Sequence, residues 1–200
     1  MLIQELRSSE AVEAAQILSR GMRDNPNNVA AWRMNADRRQ RALARFFDRV
    51  LSGLIVRGCV LGAYDADRLV GVCGMAPPGR CQPSGVEKLA IVPSLLAGTP
   101  MVAIRVLKWV TEWARRDPAQ PHWHLGPVVV DTDRQGQGIG GSLVAEFCSR
   151  VDANRAPAYL ETDKEKNVAF YQKYGFTIEG QGQVLGVPNW YMTRKPAAEC

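Results

Sequence analysis

The stretch Leu125–Gly141, LGPVVVDTDRQGQGIGG, joins an apolar run to a loop crowded with glycine. Its last six residues, GQGIGG, fit G-x-G-x-x-G letter for letter, and Glu161 follows twenty residues after Gly141. That pairing is the dinucleotide fingerprint as usually written. The context argues against it. In that motif the first glycine turns directly after the strand, whereas five polar residues, Asp131 to Gln135, separate Val130 from Gly136 here. About 40 residues follow Glu161, too few for the further βα units of a doubly wound domain.

An anion site remains. A strand, a loop of small residues and a helix start leave unpaired backbone N–H groups, and the helix dipole adds partial positive charge. Glycines let a diphosphate approach without a Cβ in the way. No Gly-Lys-Ser/Thr follows, so the loop is not a P-loop.

Working outward, Trp123 to Asp131 is the strongest strand of the chain. Gly126-Pro127 inside it predicts a bulge, because proline has no N–H for the ladder. Leu143, Phe147 and Val151 mark the helix after the loop. Ala158–Glu161 reads as the next strand, and Asn167–Tyr174 as a short helix capped by Gly175. Phe176–Glu179 and Trp190–Thr193 read as closing strands. Upstream, Leu2–Arg7 reads as a strand, with a helix after Ser8-Ser9. Arg23–Asn28 reads as a turn and Asp37–Gly53 as a helix. Cys59–Tyr64 and Leu69–Met75 read as a hairpin. Thr99-Pro100 opens a helix that Asp117-Pro118 ends. Residues 79–99 carry no readable pattern.

Composition sets bounds. The chain has 200 residues, 46% hydrophobic and 22% charged, as expected of a soluble globular protein. No run of about 18 apolar residues predicts a membrane span, and the N-terminus lacks a signal layout. Five cysteines without C-x-x-C spacing predict a reducing, cytoplasmic setting with no disulfide framework and no metal site. The net charge of +5 gathers into no basic stripe with interleaved aromatics, so no nucleic-acid partner is expected. The arginines from Arg33 to Arg49 alternate with Leu43, Phe46, Phe47 and Val50 as a solvated helix face.

These residues together resemble the GNAT superfamily of acyl-CoA-dependent N-acyltransferases. The family's pyrophosphate motif, Q/R-x-x-G-x-G/A, reads Gln135-Gly136-Gln137-Gly138-Ile139-Gly140 here. The family's downstream Asn, Tyr and Gly-Phe are Asn167, Tyr171 and Gly175-Phe176. The C-terminal part is similar to that of puromycin N-acetyltransferase-like members. The resemblance implies an α/β (α+β) GNAT fold in one domain over residues 1–200. Its mixed, twisted sheet would have six to seven strands, with splayed central strands and flanking helices. Residues 1–120 would form the acceptor half, with a helical insertion at about 79–121, and residues 121–196 the acyl-CoA half.

The resemblance further implies acetyl-CoA as co-substrate and a small-molecule amine as acceptor, attacked directly in a ternary complex. A homodimer stays open. The amides of Gly136, Gln137, Gly138, Ile139, Gly140 and Gly141 would hold the diphosphate, flanked by Arg134 and Gln135. The backbone of Val128, Val129 and Val130 would meet the pantetheine, with the Val128 N–H polarising the thioester carbonyl. Asn167 and Tyr171, at i and i+4, share a helix face. Tyr171 would protonate the leaving thiolate.

His124 stands eleven residues before Gln135, where several family members carry a base. Alternation would place it with His122, Gly126, Val128 and Val130 on one face. A pocket-wall role is the competing reading for His124, and Glu161 and Glu87 are weaker base candidates. A protein or peptide N-acetyltransferase and a non-catalytic acyl-CoA sensor are the alternative functions.

Overall fold

The computed structural model describes residues 1–96 and 99–196; Cys200 lies outside them. The order is β1 (Leu2–Glu5), α1 (Ala11–Gly21), α2 (Pro26–Trp32), α3 (Ala36–Arg57), β2 (Cys59–Asp65), β3 (Arg68–Ala76), α4 (Gly85–Leu96), α5 (Pro100–Arg116), β4 (Trp123–Val130), α6 (Ile139–Ala153), β5 (Ala158–Thr162), α7 (Glu165–Gln172), β6 (Thr177–Val184) and β7 (Val187–Arg194). The seven strands form one sheet in the order β1-β2-β3-β4-β5-β7-β6. Only β4 and β5 run parallel. This is the GNAT fold expected from the motifs. Among the described residues, no helix is long and apolar enough to cross a membrane.

Several elements differ from their sequence reading. The Arg23–Asn28 turn is cut short because Pro26 opens α2; proline suits a first helical position, where no N–H is required. The opaque 79–99 segment contains α4, whose regularity Pro93 hides. The closing strands extend into a long hairpin around Leu185-Gly186, both at positive φ. The outer residues of β6 are mostly exposed, so no apolar alternation marks it.

Two apolar layers clamp the sheet. On one side α1 and α3 contribute Ile17, Leu18, Leu43, Leu51 and Leu54 against Val72, Ala76 and Val129. On the other, α6 and α7 contribute Leu143, Phe147, Val168 and Tyr171 against Cys73, Met75, Leu125 and Leu160.

The bulge expected at Gly126-Pro127 is present. Cys73 pairs with Val128 and Met75 with Leu125, so Gly74 alone faces two residues of β4. Gly74 has no room for a side chain: a Cβ there would stand 2.5 Å from the Gly126 carbonyl oxygen and 2.5 Å from Leu54 Cδ2. Crowding of this kind costs roughly 1–3 kcal/mol. Gly74→Ala is therefore expected to lower the urea midpoint by that much stability. Gly85→Ala, where a Cβ meets nothing within 4 Å, is expected to leave the midpoint nearly unchanged.

Candidate active site

β4 and β5 pair only at Trp123–Ala158 and His124–Tyr159, although β4 continues to Val130 and β5 to Thr162. Beyond that point the strands part. The Asp131 N–H donates to the Val70 carbonyl on β3 at 2.9 Å. Alternation along the strand then turns the N–H groups of Val128 and Val130 away from β3, toward the gap. Val129 points its side chain into the α1/α3 layer, while those of Val128 and Val130 lie in the α6 layer.

The gap opens toward the glycine loop. Gly136 and Gly138 have φ of 79° and 81°, the left-handed region that glycine enters without a Cβ penalty. Among the described residues, no protein group accepts from the amides of Gly136 to Gly141. Ser142 is the first residue past them whose amide is taken, by the Gly138 carbonyl at 3.1 Å. Ile139 is buried and anchors the first turn of α6, whereas Gln137 is exposed. Gly140 lies beside Val130 and Phe170, and the Tyr174 hydroxyl occupies the space a Cβ on Gly141 would need.

The flanking residues divide. Gln135 Nε2 donates to the Val130 carbonyl at 3.1 Å, so its side chain holds the loop to the strand end. Arg134 pairs with Asp65 at the β2–β3 turn, which ties up the guanidinium expected to meet a phosphate. Asp131 is 5% exposed and takes a bidentate contact from Arg20, at 3.0 and 2.7 Å. Its Oδ1 also accepts from the Thr132 amide at 2.9 Å. This carboxylate links α1 to the start of the loop.

On α7, Asn167 and Tyr171 do share one helix. Asn167 Nδ2 donates to Thr162 Oγ1 at 3.2 Å, fastening the helix to the end of β5. Tyr171 is buried among the α6-side residues. Burial, with Cys73 and Asp163 adding to it, pushes its phenol above the ordinary tyrosine range. It therefore stays protonated.

The face expected for His124 needs correction. The two-for-one bulge shifts the alternation of β4 by one residue. Trp123 and Leu125 lie on the same side as Val128 and Val130, so His124 faces the opposite layer with Val129. Its pairing partner Ala76 belongs to that layer too. There His124 Nε2 meets Glu161 Oε2 at 3.0 Å, and Glu161 is only 3% exposed. Burial opposes protonation of His124, but the Glu161 charge outweighs it and raises its pKa above the ordinary value.

His122 lies 3.1 Å from Asp117, and both rings stack edge-on against Tyr159. The same face carries Tyr191, Asn189 and Asp163. Asn189 accepts from Trp113 of α5 at 3.0 Å and from Asn27 at 2.8 Å, while Asp163 accepts from the Asn27 amide at 2.8 Å. The hydroxyls of Tyr159 and Tyr191 are buried without a hydrogen-bond partner. Glu87, a weaker base candidate, is spent on Arg57 and the Ser84 amide.

Residues 101–178 match the model for an acetyltransferase (GNAT) domain. Over those residues the chain is similar to a GNAT acetyltransferase domain. The match starts in α5 and ends in β6, so it spans the gap, the glycine loop and α7 of the GNAT domain. Solved structures extend the likeness of fold over the rest. The crystal structure of histone acetyltransferase HPA2 and related acetyltransferase from Corynebacterium glutamicum superposes with a TM-score of 0.74 at 21% identity, covering 98% of this chain and 97% of that one. Aminoglycoside 6'-acetyltransferase type Ii superposes at 0.56 and 20% identity over the whole of both chains. A GNAT acetyltransferase from Brucella melitensis, solved in complex with acetyl-CoA, superposes at 0.52 and 17% identity, over 100% of this chain and 90% of that one.

The Arg20 hydrogen bonds hold the Asp131 carboxyl below its ordinary range, against the opposing effect of burial. A depressed carboxyl contributes stability that is present above its unfolded value and lost as pH falls through its folded value. Urea midpoints of wild type and Asp131→Asn are expected to differ at pH 7, with the difference shrinking below about pH 4.

Proposed function

We propose that this GNAT domain transfers an acetyl group from acetyl-CoA to the primary amine of a small molecule, by direct attack in a ternary complex. The parting of β4 from β5 beside a loop of free amides carries the reading. The amides of Val128 and Val130 that face the gap need acceptors once water is excluded. The pantetheine arm supplies them.

The diphosphate sits on the amides of Gly136 to Gly141 at the start of α6, where the helix dipole favours negative charge. Arg134 is left out of this cradle by its pairing with Asp65. The Val128 N–H stabilises the developing oxyanion in a site poor in water.

The proton balance needs an acceptor for the amine and a donor for the thiolate. Tyr171 is the donor, because its buried phenol still carries its proton when the thiolate departs. The acceptor is the Glu161–His124 pair rather than His124 alone, since Glu161 holds the ring at 3.0 Å and shares any proton it takes up. Glu161, Asp163, Tyr159 and Tyr191 give the acceptor side an acidic and aromatic lining suited to a protonated amine. Attack by the neutral amine forms the C–N bond and breaks the thioester C–S bond; the CoA sulfur takes the Tyr171 proton, and the proton shed by the new amide nitrogen restores Tyr171 through solvent.

Acetyl-CoA at a hundredfold excess over its Kd is expected to stabilise the protein by roughly 2.7 kcal/mol, read as a rise in Tm, whereas NAD produces none. Tyr171→Phe is expected to lower kcat by about 10²–10⁴ while leaving the acetyl-CoA-induced Tm rise intact; unchanged turnover removes the acid role. Free CoA release, measured across small amines including aminonucleosides and across basic peptides, identifies the acceptor. Turnover confined to peptides overturns the small-molecule reading.

A further inference from the structure

Cys81, Asp117, His122 and His124 come from three places: the loop after β3, the end of α5 and the start of β4. The Cys81 sulfur and one ring nitrogen from each histidine lie within 4.8 Å of one another. Asp117 Oδ1 stands 3.1 Å from His122 Nε2 and 3.9 Å from His124 Nδ1. These three atoms are buried, yet none has a hydrogen-bond partner. The 3.1 Å approach is an ion pair whenever His122 carries a proton on Nε2, so a cation, a proton or a metal ion, belongs between these atoms. Side-chain exposure is 6% for His122, 15% for Asp117 and 18% for His124.

The opposite end of each of these three groups is held. His122 Nδ1 lies 2.8 Å from the Gln120 carbonyl, which accepts its N–H and turns Nε2 to Asp117. His124 Nε2 lies 3.0 Å from Glu161, which in the same way turns Nδ1 to Asp117. Asp117 Oδ2 accepts from Gln82 Nε2 at 3.0 Å, which leaves Oδ1 free. An imidazole whose far nitrogen donates to a carbonyl or a carboxylate is how proteins orient histidines toward a metal. Buried imidazole nitrogens and a carboxylate oxygen this close together need a cation among them, and a metal ion can replace the protons that would otherwise serve.

We propose that Cys81, Asp117, His122 and His124 bind one Zn²⁺ ion. One sulfur and two imidazole nitrogens suit Zn²⁺, and Asp117, beside both histidines, closes on the ion as the fourth ligand of a structural site. Cys81 gives up its thiol proton to bulk buffer on binding, replacing its present weak contact with the His122 carbonyl at 3.3 Å. The ion fastens the α4–α5 insertion to the sheet at the point where β4 and β5 begin to part. The ligands are spread over residues 81–124 without C-x-x-C spacing, which is why the sequence led to an expectation of no metal.

The full chain, dialysed against a chelator and then titrated with Zn²⁺, is expected to take up one ion per chain by elemental analysis and to gain Tm. Co²⁺ in its place is expected to show a thiolate-to-metal charge-transfer band that excess Zn²⁺ removes. Cys81→Ala is expected to abolish the band and His122→Ala to weaken Zn²⁺ binding at least tenfold; the other cysteines remain in both variants. If a variant fails to fold, the band and the stoichiometry of the wild-type chain decide alone. Substoichiometric zinc with no Tm gain overturns the site, as does a charge-transfer band that survives in Cys81→Ala. Neither readout involves acetyl transfer, so failure here leaves the acetyl-CoA reading untouched; with zinc on His124 Nδ1, Glu161 is the member of the pair that takes the proton.

Discussion

A parallel strand pair that separates after two residues is the constraint around which this molecule is arranged. The two-for-one bulge at Gly126-Pro127 sets it, since β4 can then stay paired with β3 while bending away from β5. Room for that bulge exists because Gly74 brings only backbone against the Gly126 carbonyl. The separation leaves amides of Val128 and Val130 facing open space, a cost the protein interior normally avoids. A co-substrate rich in amides answers that cost, and the free N–H groups of the adjoining loop answer its phosphates.

The two faces of the gap have different chemistry because β4 changes phase at the bulge. On the α6 side Val128, Val130 and Tyr171 make an apolar wall, suited to a thioester and to a phenol that must keep its proton. On the α5 side His124, Glu161, Tyr159 and Tyr191 make a polar one. Direct transfer asks for this asymmetry: the donor arrives dry from one side and a charged amine from the other. The same phase change carries His124 off the face shared by Val128 and Val130 and gives it to Glu161, which is why the proposed proton acceptor is a buried pair rather than a lone imidazole.

The polar face reaches as far as the junction of α5 and β4, where His122, Asp117 and Cys81 gather. The proposed cation there joins the insertion to the sheet, because its ligands come from the loop after β3, the end of α5 and the start of β4. Helices α4 and α5 also present exposed Val86, Leu89, Met101 and Leu107, so apolar packing alone secures this part of the chain weakly. A tether close to the parting point would fix the insertion without filling the space between the strands.

Local chemistry wrote much of this plainly. The glycine spacing from Gly136 to Gly141, the bulge at Gly126-Pro127 and the i, i+4 placement of Asn167 and Tyr171 depend on neighbours in the chain, so the sequence by itself determined the loop, the bend and the helix face. Residues far apart in the chain were another matter. Arg134 turns to Asp65 rather than to the loop, Glu161 takes His124, and Cys81 reaches two histidines about 40 residues away, each because packing brings distant charges and lone pairs together. Even the face of His124 escaped a period-two reading, although the bulge that moved it had been foreseen. Alternation is local, but its phase after a bulge is set by the register that β3 imposes, and only the assembled sheet decides that.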